Sequence, residues 1–313
     1  METAPCPITN SRKFTPYIEV ADRFDPSGKA EWNIVRSCAS GLIMLNPRPD
    51  SSEIARHYRS AEYDPYRHSE NSSSFKERAY LTARSILLGY RTGIILKGLL
   101  KPIKKCTVLE IGCSTGDLLN CFHRHSGVPI NNLVGVEPDP DAAQYAREFF
   151  GLNIFPSIAE ESAEKKTFDR IVLWHTLEHI HAIHETLSQA AGQLQPDGML
   201  VIALPNPASY DAEHYQENWI AWDAPRHLYH FVPKSLKKLL KQHSLQVVNC
   251  QPYLPDSIYN TLHSEALRSK RQNQRFNVLQ ILTLFGRTSL YAVKSGLWPM
   301  RASSLVYFVK QQC

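Results

Sequence analysis

The chain has 313 residues, 43% hydrophobic and 21% charged, with a formal net charge of +5. This is room for one large domain with additions, in a composition ordinary for globular proteins. The charge is too mild, and too little clustered on one face, to demand a nucleic-acid partner, and none is expected.

The seven cysteines (Cys6, Cys38, Cys106, Cys113, Cys121, Cys250, Cys313) are scattered, with no C-x-x-C pair. An odd, unpatterned set argues against a disulfide framework and for a reducing, cytoplasmic setting. The first residues lack a basic start followed by an apolar run, so no signal peptide is expected. No apolar stretch reaches the ~18 residues of a spanning helix.

Residues 1–73 read as an N-terminal extension. Two strand-like runs stand out, Tyr17–Val20 and Gly41–Leu45. Asn46-Pro-Arg-Pro49 stops the second, since proline cannot continue a ladder. Ser51–Tyr58 reads as a short helix with a serine cap, and 60–73 as polar loop. From Ser74 to Leu100 apolar residues recur at helical spacing, so 74–105 is a helical lead-in.

Residues 106–253 alternate strand and helix signals. Strands are expected at Thr107–Ile111, Leu133–Glu137, Asn153–Phe155, Arg170–Trp174, Met199–Leu204 and Leu245–Asn249. Helices fall between, among them Asp139–Phe150 closed by Gly151, and Pro233–His243. Such alternation predicts an α/β fold, a mostly parallel sheet covered on both faces. Residues 254–302 form a helical insertion with a basic run, Arg268–Arg275, that reads as a solvated face. Within it, Val278–Leu297 suits a sheet-covering helix or a homodimer contact better than a membrane-surface helix. A last strand is expected within 303–313.

Ligands of open parallel sheets sit beyond the carboxyl ends of the strands. Collected there are Gly112–Gly116, Glu137-Pro-Asp139, Pro156–Ala159, His175–His179 and Pro205-Asn206. A dinucleotide site wants G-x-G-x-x-G, whereas here Ser114 stands in the second glycine's place. Glu110, just before the turn, would repel a pyrophosphate and suits a cationic ligand. Glu137 suits a ribose diol, because a carboxylate accepts from both hydroxyls. A ligand-free tight turn is the bland alternative for Gly112 and Gly116, and a solvated strand end for Glu137.

These residues resemble a known family. Glu110-Ile-Gly-Cys-Ser-Thr-Gly116 is similar to motif I (E/D-x-G-x-x-x-G) of class I S-adenosylmethionine-dependent methyltransferases. Glu137 matches the family's acidic ribose ligand, and Phe168–Ile180 and Leu194–Asn206 resemble its later motifs. The resemblance implies a Rossmann-like, seven-stranded sheet with S-adenosylmethionine as cofactor. It places Glu110, Gly112, Cys113, Ser114, Gly116, Glu137, Pro138, Ile158, Ala159 and Trp174 around that cofactor, with Cys113 a packing residue rather than a nucleophile. Trp219–Phe231 is similar to the bacterial Methyltransf_23-type branch, which includes ubiquinone-type O-methyltransferases and enzymes of sugar and envelope pathways.

What the resemblance implies is O-methylation of a small molecule: a sugar, a sugar nucleotide, or an envelope or quinone precursor. The alternatives are a non-catalytic binding protein and a nucleotide-dependent oxidoreductase. His175 is the leading base candidate, with His227 and His230 behind it. Arg226 is expected to hold an anionic acceptor group, with Asn206 alongside. Trp219, Trp222 and Tyr229 are expected to cover a ring, or simply to pack as an aromatic cover.

His175, Glu178 and His179 resemble the E-x-x-E-H trio that binds magnesium in some relatives. Histidine in the first acid's place suits magnesium poorly, so no metal is expected. In other relatives Asn46–Pro49 follows a zinc ribbon. Here Ser37 and Ser40 stand at its cysteine positions, so a ribbon-like segment without metal is expected.

Overall fold

The computed structural model describes residues 1–25, 31–58, 75–162, 166–272 and 296–312, with isolated positions between 286 and 294. The loop expected at 60–73 and most of the helix expected at 278–297 lie outside them. The chain divides into two compact units that do not follow sequence order. One comprises residues 1–60, 177–184 and 203–307, the other 61–176, 185–202 and 308–313.

The first unit carries a four-stranded antiparallel sheet in the order β1 (Phe14–Ala21), β2 (Glu31–Ser37), β3 (Ile43–Leu45), β9 (Tyr229–His230). Ile43 pairs with His230 and Met44 with Tyr229. Two residues of the stretch expected to cover an acceptor, Tyr229 and His230, therefore form a strand of the N-terminal sheet. Val20, Ile34, Ile43 and Leu45 pack with Tyr215, Trp219, Trp222 and Ala224 into one core. The turn before the helical residues Ile54–Tyr58 is capped by Asp50, not by serine: its Oδ1 accepts from Ser52 N and Glu53 N at 3.0 and 3.1 Å.

Beside this sheet, Cys6-x-x-Thr9 and Ser37-x-x-Ser40 stand at the spacing of a four-ligand ribbon. Cys6 Sγ lies 3.1 Å from Ser40 Oγ. Burial pushes the Cys6 thiol up, but hydrogen bonds from Ser40, Ser37 and Thr9 outweigh it and hold the thiol below its usual value. Hydroxyl–thiol hydrogen bonds tie these turns together.

The larger sheet has seven strands in the order β10 (Leu245–Pro252), β11 (Ser304–Gln311), β8 (Leu194–Pro205), β7 (Phe168–Trp174), β4 (Val108–Ile111), β5 (Leu133–Val136), β6 (Asn153–Phe155). β4 pairs in parallel with β5 and β7, and β5 with β6. β4, β5 and β7 are buried along their whole lengths, which is why they read as continuous apolar runs. Around them lie helices α1 (Phe75–Leu96), α2 (Asp117–Ser126), α3 (Pro140–Phe150), α4 (Ile158–Ser162) and α5 (Ile183–Gly192). Asp139 caps α3, accepting from Asp141 N and Ala142 N, and Gly151 ends it at φ 67°.

From β4 the chain runs outward to β5 and β6, then returns to the other side of β4 as β7. The carboxyl end of β4 is thus the topological switch point, where such sheets bind ligands.

Candidate functional site

β4 ends on Glu110-Ile111 and turns through Gly112, Cys113, Ser114, Thr115 and Gly116 into α2. Gly112, Ser114 and Gly116 hold φ of 75°, 48° and 78°. Left-handed backbone is cheap only for glycine, and a Cβ at Gly112 would overlap Thr176 Cγ2 and stand 2.7 Å from its Oγ1. Glycine here lets the turns after β4 and β7 touch. Cys113 is buried with its sulfur against Gly135, and burial pushes its thiol up, as befits a packing residue.

Two carboxylates face this turn. Glu137 Oε2 accepts from Ser114 N at 2.8 Å, and Oε1 from Asp139 N at 3.0 Å. An ionised carboxylate has about four acceptor positions, so each oxygen keeps capacity for a further donor. Glu110 is only 5% exposed, and its Oε2 is buried with no hydrogen-bond partner among the described residues. Burial raises its carboxyl well above the ordinary range, against the pull of Arg91. A buried carboxylate in this state wants a cation.

Trp174 and His175 end β7. Trp174 is buried under the Arg91 guanidinium, 5.1 Å from the ring centroid. His175 has φ 53°, an uncommon conformation for a residue with a side chain, and is half-buried. Ile158 is buried, while Pro138 and Ala159 are exposed. These residues all belong to the second unit.

The residues expected to meet the acceptor lie in the first unit. Arg226 is fully buried and does not present its guanidinium to a ligand. Nε donates to Asp223 Oδ1 (2.9 Å), Nη1 to Asp22 Oδ2 (3.3 Å) and His57 O (3.1 Å), and Nη2 to Asp22 Oδ1 (2.7 Å) and Ala224 O (3.3 Å). Trp219 Nε1 donates to Asp211 Oδ2, Trp222 Nε1 to Gln216 O, and Arg48 Nη1 to the Tyr229 hydroxyl, each at 2.8 Å. Asn206 Nδ2 donates to Met300 O and Ala302 O, both at 2.9 Å. All five are buried residues whose side-chain nitrogen or hydroxyl groups find partners inside the unit, and Trp222 also lines a cavity with Tyr17, Ala212 and Gln216.

His227 and His230 are also buried in this unit. Burial, then His179, holds His227 down to about 4, while burial and His227 hold His230 far below its ordinary value. Both are neutral at pH 7. The three groups that converge here are Glu178, His179 and His227, and His175 is not one of them. His227 comes from a turn distant in sequence from the Glu178–His179 pair.

The sequence profile of the methyltransferase domain matches residues 58–249. The chain belongs to the methyltransferase domain family. It is 28% identical over 170 residues to C-methyltransferase NovU of Streptomyces niveus, across 50% of this chain and 39% of that protein. It is 27% identical over 190 residues to the ubiquinone biosynthesis O-methyltransferase of Bartonella bacilliformis, across 58% and 74%. The chain thus spans about two fifths of the length of the first relative and three quarters of the second. Among solved structures it is similar to mycolic acid cyclopropane synthase CmaA1 complexed with SAH and CTAB. The identity there is 13% and the TM-score 0.48, over 84% of this chain and 94% of that one.

The cofactor of this class I methyltransferase is S-adenosylmethionine. Its residues fit that molecule. The orphaned oxygen of Glu110 calls for a cationic partner, and the donor carries an ammonium and a sulfonium. The bare backbone of Gly112 permits close approach, and the remaining acceptor positions of Glu137 suit a ribose diol. The sequence gives no role to Arg91, and Thr176 stands among the collected strand-end residues without one. Arg91 lies outside the motifs, on α1, and Thr176 shows only as the neighbour a Cβ at Gly112 would strike.

Replacing Glu137 by alanine should weaken donor affinity about ten- to hundredfold, the usual worth of hydrogen bonds to a charged group. Calorimetry should show a larger change than the acceptor KM. Glu137→Gln, which keeps one acceptor oxygen, should lose less. Unchanged donor affinity in Glu137→Ala would remove Glu137 from the ribose site.

Proposed function

We propose that the protein transfers the methyl group of S-adenosylmethionine to an oxygen of a small-molecule acceptor. The observation that carries the donor half is the buried, unpartnered oxygen of Glu110 at the switch point of the sheet. When bound, the donor supplies an already activated methyl group, so the chain has chiefly to position two reactants and handle one proton. Glu110 faces the donor's positive charge, Glu137 holds the ribose, and Gly112 lets the backbone come close. His175, at the end of β7, takes the acceptor's proton as the new bond forms. The acceptor belongs to sugar, sugar-nucleotide or envelope and quinone-precursor chemistry. The ubiquinone-type relative supports this oxygen reading.

The similarity to NovU supports a second reading, in which the methyl group goes to a carbon acid. The same imidazole then removes a proton from carbon. The test is turnover on sugar and quinone-precursor acceptors, followed by NMR of the product. An O-methyl resonance supports the first reading and a C-methyl resonance the second. Donor binding without turnover on any acceptor would leave a binding protein.

Glu110 also links donor binding to protons. Its folded value is raised, so its contribution to stability is full below the ordinary carboxylate range and is lost as pH rises through the raised value. A cation beside it pulls that value back down. Donor binding should therefore release a proton in that window and tighten as pH rises across it. Calorimetry in buffers of different ionisation enthalpy measures the release, and Glu110→Gln should abolish it. A proton count of zero in the unsubstituted protein would contradict the assignment.

A further inference from the structure

A cavity of about 390 Å³ lies wholly within the first unit, beside the stretch 207–216 that follows β8. Its size is that of a small-molecule site. Tyr17 of β1 and Trp222 supply aromatic walls, their rings edge to face with centroids 5.8 Å apart. Ala212 adds apolar surface, and Glu213, Gln216 and Arg301 add polar groups.

Gln216 holds φ 49° and ψ −124°. That conformation is costly for a residue with a side chain and persists only where the surroundings enforce it. Gln216 O accepts from Trp222 Nε1 at 2.8 Å, so the strained turn fixes the indole. The Gln216 carboxamide nitrogen donates to Glu213 O, which leaves its oxygen as an acceptor at the cavity. The Arg301 guanidinium lies 4.6 Å over the Tyr210 ring and pairs with Glu213. Its Nε is buried with no hydrogen-bond partner among the described residues, a cost that an acceptor would relieve.

The charges of the lining cancel, one acid against one base, so the cavity suits a neutral ligand better than a phosphate or a carboxylate. Aromatic walls ask for an apolar face, and the polar side chains ask for a ligand that both donates and accepts. A pyranose ring has both: a face of C–H groups and a rim of hydroxyls. A plain aromatic ring would leave Arg301 Nε and the Gln216 carboxamide unanswered.

We propose that this cavity binds a neutral hexose ring, free or carried on a nucleotide. Trp222 and Tyr17 meet its C–H face, Glu213 and Gln216 accept from its hydroxyls, and Arg301 Nε donates to one. Its use for a methyl acceptor rests on the sugar branch of the function proposed above. Binding is read without donor, so failed binding and failed methyl transfer are separate results.

The experiment is saturation-transfer NMR of the full chain with D-glucose, D-galactose, D-mannose and UDP-glucose, with catechol as comparator. The expected result is saturable transfer to the ring C–H protons of at least one hexose. Transfer to a free sugar identifies the free ring as ligand, and transfer only to the glucose protons of UDP-glucose identifies the carried ring. Tyr17→Ala should weaken binding at least about tenfold, whereas Tyr17→Phe should keep it. Gln216→Gly relieves the strained backbone and removes the carboxamide. It should raise the melting temperature yet weaken binding at least about tenfold, a pairing that a merely structural role does not produce. Because this variant is expected to stabilise the fold, misfolding does not hide the answer. No transfer to any of these sugars, or transfer to the uridine protons alone, would overturn the proposal. So would preference for catechol over every hexose, or hexose binding unchanged in both Tyr17→Ala and Gln216→Gly.

Discussion

Arg226→Met is expected to destabilise the protein by about 3–5 kcal/mol, the usual cost of removing one partner from a buried ion pair. Arg226 lies between Asp22 and Asp223 with its guanidinium stacked 4.6 Å above the Phe24 ring. Methionine fills much of the volume but leaves both carboxylates and the carbonyls of His57 and Ala224 without these donors. Arg23, 2.9 Å from Asp223, compensates only one of the acids. Urea denaturation measures the loss, and adding Asp223→Asn should recover part of it, because the two sites are coupled.

The penalty should also depend on pH. Burial pushes Asp223 up, but Arg23 and Arg226, with His227, outweigh it and hold the carboxyl below its ordinary range. A depressed folded value gives stability that is present above the unfolded value and lost as pH falls through the folded one. The gap between Arg226→Met and the unsubstituted protein should therefore be widest near neutrality and narrow in acid. A gap under about 1 kcal/mol, the level of a surface pair, would mean that this network does not hold the unit together. A gap that does not change with pH would place the carboxylates elsewhere.

Gly112→Ala should lower donor affinity by a factor of about thirty or more, roughly 2 kcal/mol at 1.4 kcal/mol per tenfold. Left-handed backbone alone costs a residue with a side chain roughly 1–2 kcal/mol. The added methyl would also overlap Thr176 Cγ2, so the turns after β4 and β7 must separate. Adding Thr176→Ala removes the overlap and leaves the strain, so it should restore part of the affinity. Full affinity in Gly112→Ala would show that the donor does not use this turn.

Legibility in the sequence followed the locality of the physics. β6 falls at Asn153–Phe155 as expected, and the other expected core strands overlap their positions; for β4, β5 and β7 this is because burial on both faces leaves continuous apolar runs. The donor turn was readable because a left-handed glycine and a strand-end acid are local requirements. β2 was not readable: Glu31–Ser37 mixes charged and apolar residues without a clear period. Nor was β9, which is two residues long and takes its pairing from β3.

Trp219–Phe231 leaves its two readings open for a different reason. Tryptophan, arginine and tyrosine have the same composition whether they wait for a ligand or satisfy one another. The deciding partners are remote: Asp22 stands 204 residues from Arg226, and Arg48 stands 181 from Tyr229. His227 likewise lies far along the chain from Glu178 and His179, so only the folded chain brings that trio together. Spacing along one turn instead points to His175, Glu178 and His179.

The most direct test of the donor assignment is calorimetric titration of the full chain with S-adenosylmethionine, with NAD as comparator. The result expected is saturable binding of one equivalent of S-adenosylmethionine, weakened by Glu110→Gln, with no binding of NAD. Preference for NAD, or S-adenosylmethionine binding indifferent to Glu110→Gln, would contradict it.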